Sequence, residues 1–228
     1  MKKLLIPFLI GLMAFLYIFI IPDEPLSVKV TFKLIPMVLI IIYAFRNLPP
    51  SPTPAMRLVM IGLFFCMLGD GFIAVSFVAG LGAFLVGHLF YLSGFLKLSQ
   101  NTKGRVAAIS PIGLYSLIIG SRLIASLTEK EEHALVWPVI AYMMVISIMA
   151  LSAILTGNRL AIAGSLLFVI SDSILSWNMF VTDIVYSDVL IMTTYYAAQF
   201  LIASSLATFG KLAGAPAVIP VIKSGKTF

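Results

Sequence analysis

The chain has 228 residues, 61% of them apolar and only 11% charged, with a mean hydropathy of +1.11. That composition excludes an ordinary soluble domain and a disordered chain, and it indicates a membrane protein. The net charge of +6 does not imply a nucleic-acid partner, because the basic residues are scattered at segment ends with no basic stripe or interleaved aromatics, the distribution that membrane topology produces.

In chain order the apolar runs predict an all-α polytopic membrane protein. It is an eight-transmembrane-helix bundle in a single integral membrane domain, residues 1–228, with helices at about 4–21, 26–45, 57–76, 79–97, 105–126, 134–155, 160–181 and 188–210. At 1.5 Å per residue such runs cross about 30 Å of hydrocarbon. The alternating ten-residue segments of a β-barrel are missing. Met1-Lys2-Lys3 followed by apolar residues to Ile21 imitates a signal peptide, but it lacks a small-residue cleavage site and reads as the first helix. The breaks are Pro22-Asp23-Glu24-Pro25, residues 46–54 with four prolines, a tight turn near residues 76–80, and residues 99–105, 128–133, 156–158 and 182–187.

Charge tests that count. With eight spans, Lys2, Lys3, Arg46, Arg57, Lys97, Lys103, Arg105, Arg159, Lys211, Lys223 and Lys226 fall on one side, against Lys29, Lys33, Arg122 and Lys130 on the other. The positive-inside rule then places both termini in the cytoplasm of a multi-pass protein of the plasma membrane, the inner membrane in a bacterium. Omitting the turn near residue 78 would scramble the separation. Asp23, Glu24, Glu129, Glu131, Glu132, Asp183 and Asp188 fall on the outer side, which leaves Asp70 and Asp172 as the acids within spans. Cys66 has no second cysteine to pair with and reads as a small buried hydrophobe.

Each of these aspartates follows an arginine by 13 residues, Arg57 before Asp70 and Arg159 before Asp172, so the two acids stand level, about 20 Å beyond the arginines. The matched spacing hints at a parallel duplication, although beyond it and a few glycines the halves differ. Intramembrane acids are costly and are functional candidates by default. His88, Lys33, Arg122, Asn178, Tyr195, Tyr196 and Gln199 fall at comparable outer-half levels, with Tyr91 one turn from His88. A packing histidine, a snorkelling lysine and structural acids are the competing readings of His88, Lys33 and the aspartates.

Two carboxylates in a poorly solvated pocket can be held in different protonation states, so that one donates a proton while the other activates water. Lys33 and Arg122 near the headgroup level suit a lipid phosphate, and the tyrosines with Gln199 suit neutral oxygens. The same groups also suit a proton path, which keeps a proton-coupled lipid or small-molecule transporter as the alternative. With two histidines and one cysteine the chain lacks the ligand set of a hydrolytic zinc site, and no nucleotide-binding glycine loop or nucleophile elbow occurs, so no metal or cofactor is expected.

Lys33-Leu34-Ile35-Pro36, Gly62-Leu63-Phe64-Phe65 with Gly69-Asp70, then Phe77, Gly80, Phe84, Gly87-His88 and Tyr91, then Ser171-Asp172 with Phe180, and Tyr195-Tyr196-Ala197-Ala198-Gln199 together resemble the YhhN family of lysoplasmalogenases. The likeness runs from residue 5 to about residue 208. It departs from the usual pattern at the second helix, where the proline following Lys33 is displaced by two positions. The resemblance implies a membrane-embedded hydrolase that cleaves the vinyl ether bond of a lysophospholipid, a lysoplasmalogen drawn from the bilayer, to a fatty aldehyde and a glycerophospho-base. On that implication Asp70 and Asp172 are the acid and base, in an order left open, and His88 is a proton shuttle or orienting base. Lys33, Arg122, Tyr91, Asn178, Tyr195, Tyr196 and Gln199 would bind substrate. Monomer and homodimer are both left open.

Overall fold

A computed structural model of the chain describes residues 4–99, 105 and 107–213. Lys2, Lys3, Lys103, Lys223, Lys226 and the side chain of Lys211, which carry part of the expected charge asymmetry, lie outside the described residues. Among the described residues there are eight helices and no strand: α1 Leu5–Phe19, α2 Leu26–Arg46, α3 Pro54–Phe72, α4 Phe77–Leu98, α5 Ile109–Glu129, α6 His133–Thr156, α7 Arg159–Phe180 and α8 Ser187–Ala213. Seven of them, α2 to α8, are long and apolar enough to cross a membrane. The first, expected over residues 4–21, has 15 residues, a rise of about 22 Å.

Local chemistry moves some expected boundaries. The third helix begins at Pro54 rather than residue 57, because Thr53 Oγ1 accepts the Met56 amide at 3.4 Å and Pro54 suits a first turn that needs no N–H. The following turn occupies residues 73–76, earlier than expected, because Ser76 caps α4 by accepting the Ala79 amide at 3.3 Å. Gly80, expected in the turn, lies inside α4 against the end of α3, where a Cβ would come within 2.7 Å of Ile73 Cα. The fifth helix starts at Ile109 rather than residue 105 and continues to Glu129 rather than residue 126. Its end is tied to the end of α7, since Lys130 Nζ and Ser126 Oγ both donate to the Phe180 carbonyl, the lysine at 2.7 Å. Arg105 Nη1 donates to the Leu155 carbonyl at 3.1 Å, placing a cation at the C-terminus of α6, where Gly157 ends the helix at φ 70°.

Six helices close a ring in the order α2, α3, α4, α6, α7, α8, while α1 packs outside on α2 and α8, and α5 packs outside on α6 and α7. Large apolar side chains face outward, including Leu117 at 72% and Trp137 at 77% exposure. Water would not tolerate this surface, whereas lipid would. Between helices in lipid, association relies on close packing of small residues rather than on a hydrophobic force. At the antiparallel α3–α4 crossing a Cβ on Gly62 would meet the Tyr91 ring at 2.5 Å, and one on Gly87 would meet Cys66 Sγ at 2.8 Å. The α7–α8 crossing repeats the arrangement: a Cβ on Gly164 would lie 2.8 Å from both the Ala198 carbonyl oxygen and Ile202 Cγ1. Gly62 and Gly164 are separated by 102 residues, the same offset that relates Asp70 to Asp172, and Gly87, His88 and Tyr91 are offset by 111 from Ala198, Gln199 and Ile202. The parallel repeat hinted at by the arginine-to-aspartate spacing therefore extends to helix packing.

Gly87→Ala should lower the melting temperature in detergent by about 3–10 °C, the equivalent of roughly 1–3 kcal/mol of overpacking. Gly82→Ala, where a Cβ would meet nothing within 4 Å, should leave it unchanged or raise it. Thermal unfolding of the two variants beside the parent checks the difference.

Candidate active site

Asp70 lies near the C-terminal end of α3 and is 2% exposed. A carboxylate there needs compensation from its surroundings, and two helices provide it. Lys33 Nζ, from α2, stands 3.7 Å from one carboxylate oxygen, and Tyr195 Oη, from α8, donates to the other at 2.6 Å. Tyr196 faces away and donates to the Lys33 backbone carbonyl at 2.8 Å. That carbonyl adjoins the one on Phe32, which loses its helical donor because Pro36 has no N–H. A turn further along α8, Gln199 Oε1 accepts a hydrogen bond from Tyr91 Oη at 2.6 Å, which closes a polar seam between α4 and α8.

Asp172, on α7, has different surroundings. It is half-buried, Tyr142 Oη of α6 donates to its carboxylate, and it has no ion-pair partner among the described residues. It lines a narrow cleft of about 60 Å³ between α4, α5, α6 and α7, walled mostly by apolar groups such as Phe77, Leu81, Phe84, Ile119 and Ile146. At the edge of the cleft Tyr115 Oη donates to Ser173 Oγ at 2.8 Å.

The two carboxylates do not touch; a strip of rings lies between them. From Asp70 the strip runs through Tyr195 to Phe168, whose ring centroids are 5.4 Å apart, then to His88 at 4.4 Å, and on to Tyr142, at 5.4 Å from His88. His88 is fully buried, with Nδ1 2.6 Å from the Phe84 carbonyl. Since a carbonyl only accepts, Nδ1 carries the proton and Nε2 is left as an acceptor, with no hydrogen-bond partner among the described residues.

The structure thus brings together Lys33, Asp70, Tyr195 and Tyr196 in one group, joins Tyr91 to Gln199, and places His88 behind Tyr142 rather than on the cleft wall. It does not bring Arg122 or Asn178 to either acid. Arg122 is exposed on α5, which packs on α6 and α7, whereas Lys33 is on α2, which packs on α1, α3 and α8. A shared phosphate site of Lys33 and Arg122 therefore does not form. Asn178 instead orders the connection between α7 and α8, its Oδ1 accepting the Ile184 amide at 2.8 Å. Tyr142, Tyr115 and Ser173 went unrecognised in the sequence. Tyr142 could have been noticed as the lone phenol of an otherwise apolar span. Among the described residues, no group of three or more His, Cys, Asp or Glu side chains converges as a metal site.

A closed helical ring that carries two carboxylates in its interior, surrounded by phenols and one lysine, defines a multi-pass membrane protein with a polar site inside the bilayer. A family model described as the YhhN family matches residues 28–206, and the chain belongs to this family. It is 29% identical to lysoplasmalogenase TMEM86B of Mus musculus over 207 residues, covering 90% of this chain and 86% of the mouse protein. Against lysoplasmalogenase TMEM86A of Homo sapiens the identity is 31% over 176 residues, 67% of this chain and 66% of the human one. With a lysoplasmalogenase of Mycobacterium tuberculosis it is 30% over 148 residues, 60% of this chain and 55% of the relative. No solved structure matches the chain.

Removing the lysine tests the Asp70 group. Lys33→Met leaves a buried acid with one partner and should cost on the order of 2–3 kcal/mol, the lower end for a broken buried pair given its 3.7 Å separation. Adding Asp70→Asn to Lys33→Met should recover half or more of that loss, as read from a double-mutant cycle of thermal unfolding.

Proposed function

We propose that the protein is a membrane-embedded hydrolase that cleaves the vinyl ether bond of lysoplasmalogens, releasing a fatty aldehyde and a glycerophospho-base. Family membership supports the substrate class, as do the relatives named lysoplasmalogenases. The observation that carries the mechanism is a single carboxylate, Asp172, without an ion-pair partner among the described residues and held by the Tyr142 phenol, facing an apolar cleft.

The chemistry needs one well-placed acid. Asp172 delivers its proton to the vinyl carbon remote from the ether oxygen, the double bond is consumed, and the positive charge is shared between the other vinyl carbon and the ether oxygen. The carboxylate left behind stabilises that charge at close range, in surroundings that screen it poorly. Water adds to the cationic carbon and returns a proton to Asp172, giving a hemiacetal. Collapse of the hemiacetal breaks the carbon–oxygen bond to give aldehyde and alcohol, so the net change is the addition of one water. Tyr142 holds the carboxylate in orientation through both states. Asp70, whose charge Lys33 balances, acts with His88 from behind the strip of rings and positions Tyr195 and Tyr142. This division gives the proton-transfer role to Asp172, an order that the spacing of the two acids leaves open.

Topology fits the same scheme. Arg46, Arg57, Lys97, Arg105 and Arg159 cluster at one set of helix ends, and Asp23, Glu24, Glu129, Glu131, Glu132, Asp183 and Asp188 at the other. Counting the shorter α1 with the seven longer helices gives eight spans, which would set both termini on the cytoplasmic side, that of the inner membrane in a bacterium. A one-chain amphiphile then enters from the outer leaflet.

Purified protein given lysoplasmalogen in detergent should release free aldehyde, measured by mass spectrometry. Asp172→Asn should slow this release by about 100-fold or more, and Tyr142→Phe by about tenfold, with thermal unfolding little changed. Retention of full activity by Asp172→Asn would remove that residue from the mechanism. In sealed vesicles of known orientation, substrate in the leaflet facing the acidic helix ends should be cleaved first.

A further inference from the structure

A second apolar groove runs along the outside of the bundle between α5 and α6, lined by residues that include Ile112, Gly113, Leu117, Gly120, Ile140 and Leu151. Its floor is shared with the inner cleft. Ser116, Met143 and Ser147 line both spaces, one from the lipid side and the other from the Asp172 side. Among the described residues, nothing covalent or charged closes this shared wall. Ser116 Oγ and Ser147 Oγ are hydrogen-bonded to each other at 2.7 Å across the seam. Each hydroxyl also has a carbonyl of its own helix within reach, Ser116 that of Ile112 at 2.8 Å and Ser147 that of Met143 at 2.7 Å, so the one that donates across the seam can turn its proton to its own helix instead. Parting the two helices therefore exposes no unsatisfied backbone group and gives up one hydroxyl contact. Met143 fills the remaining gap, its Cε so placed that a Cβ on Gly120 would lie 3.2 Å away. An unbranched thioether in that position can swing aside at little cost.

Length and chemistry select the occupant. The α5 side of the groove extends from Ile109 to Ile124, about 22 Å of helix rise, longer than the roughly 15 Å depth of one leaflet's hydrocarbon. One extended chain fits, and the nearly uncharged lining offers nothing to a headgroup. We infer that the α5–α6 seam is the chain-binding path of the enzyme: the single alkenyl chain of a lysophospholipid lies in the outer groove, displaces Met143, passes the Ser116–Ser147 contact and presents its first carbons to Asp172. The competing groove between α1 and α8, lined by Ile10, Ala14, Ile18, Ala197 and Phe200 among others, shares no residue with the Asp172 cleft. It ends at Tyr196, whose hydroxyl is engaged by the Lys33 carbonyl.

The path to Asp172 rests on the hydrolase reading, so its test combines one arm that measures turnover with one that measures binding alone. In the first, the Ser116→Cys/Ser147→Cys double variant of the full chain is compared oxidised and reduced. Cross-linking should slow aldehyde release from a long-chain lysoplasmalogen by about tenfold or more, and reduction should restore it. In the second, the full chain takes up lysophosphatidylcholine carrying a photoreactive diazirine at the chain terminus. Peptides from residues 109–124 and 140–151 should carry the label, and excess unlabelled lysophosphatidylcholine should compete it away. Undiminished turnover by the cross-linked form overturns the proposal. So does label that is concentrated on α1 and α8, or label that excess lipid does not displace, the pattern of ordinary boundary lipid. If no form of the protein releases aldehyde while competed label falls on α5 and α6, the hydrolase reading fails and the chain site stands.

Discussion

A carboxylate inside a hydrocarbon layer must be paired, hydrogen-bonded or protonated, and much of the interior of this protein follows from meeting that requirement twice. Around Asp70 it is met with a cation and a phenol, which draw α2 and α8 onto α3. Around Asp172 it is met with a phenol alone, from α6. The difference separates two acids that otherwise look equivalent. A carboxylate whose charge is balanced within the bundle serves as an anchor. One without an ion pair among the described residues, at the wall of a cleft, is the acid to which the proposed mechanism gives the proton.

Helix packing makes this asymmetry possible. The glycine contacts at the α3–α4 and α7–α8 crossings bring two antiparallel pairs close enough for Phe84, His88 and Phe168 to meet between the acids. Side chains larger than hydrogen at Gly62 or Gly87 would hold α3 and α4 apart, and the strip of rings would lose its contacts. The two crossings are related by nearly constant sequence offsets, yet the repeat has diverged where chemistry is concerned. His88 of one half corresponds to Gln199 of the other, and the helices preceding the two acids, α2 and α6, contribute a lysine to Asp70 and a phenol to Asp172. An architecture of two similar halves thus holds two unlike carboxylates.

The peripheral helices complete the division. One of them, α1, lies over the Asp70 side, where Tyr17 meets the Tyr196 ring edge-on at 6.1 Å. Its counterpart α5 lies over the Asp172 side and is joined to α6 by a contact between two serines. Asp70 is therefore enclosed by aromatic packing, and Asp172 lies behind a wall that includes a hydroxyl contact.

Much of this was legible in the sequence. Apolar run length and the placement of charges reveal the number of helices, because hydrocarbon thickness and the cost of burying charge act on each segment independently. Asp70 and Asp172 stand out for the same reason, and Lys33, Tyr195, Tyr196, Tyr91 and Gln199 were recognisable as polar residues at a common depth. Depth is a coordinate along one axis, however, and a sequence read helix by helix carries no information about which helices are neighbours. Arg122 and Asn178 share the level of the acids but turn away from them. Tyr142, in a helix with no other mark of function, proves to be the partner of Asp172. The pairing of Lys33 with Asp70 rather than with a phosphate partner on α5, and the exposure of only one acid to the cleft, were decided by tertiary structure, because they depend on the order of helices around the ring and the rotation of each about its own axis.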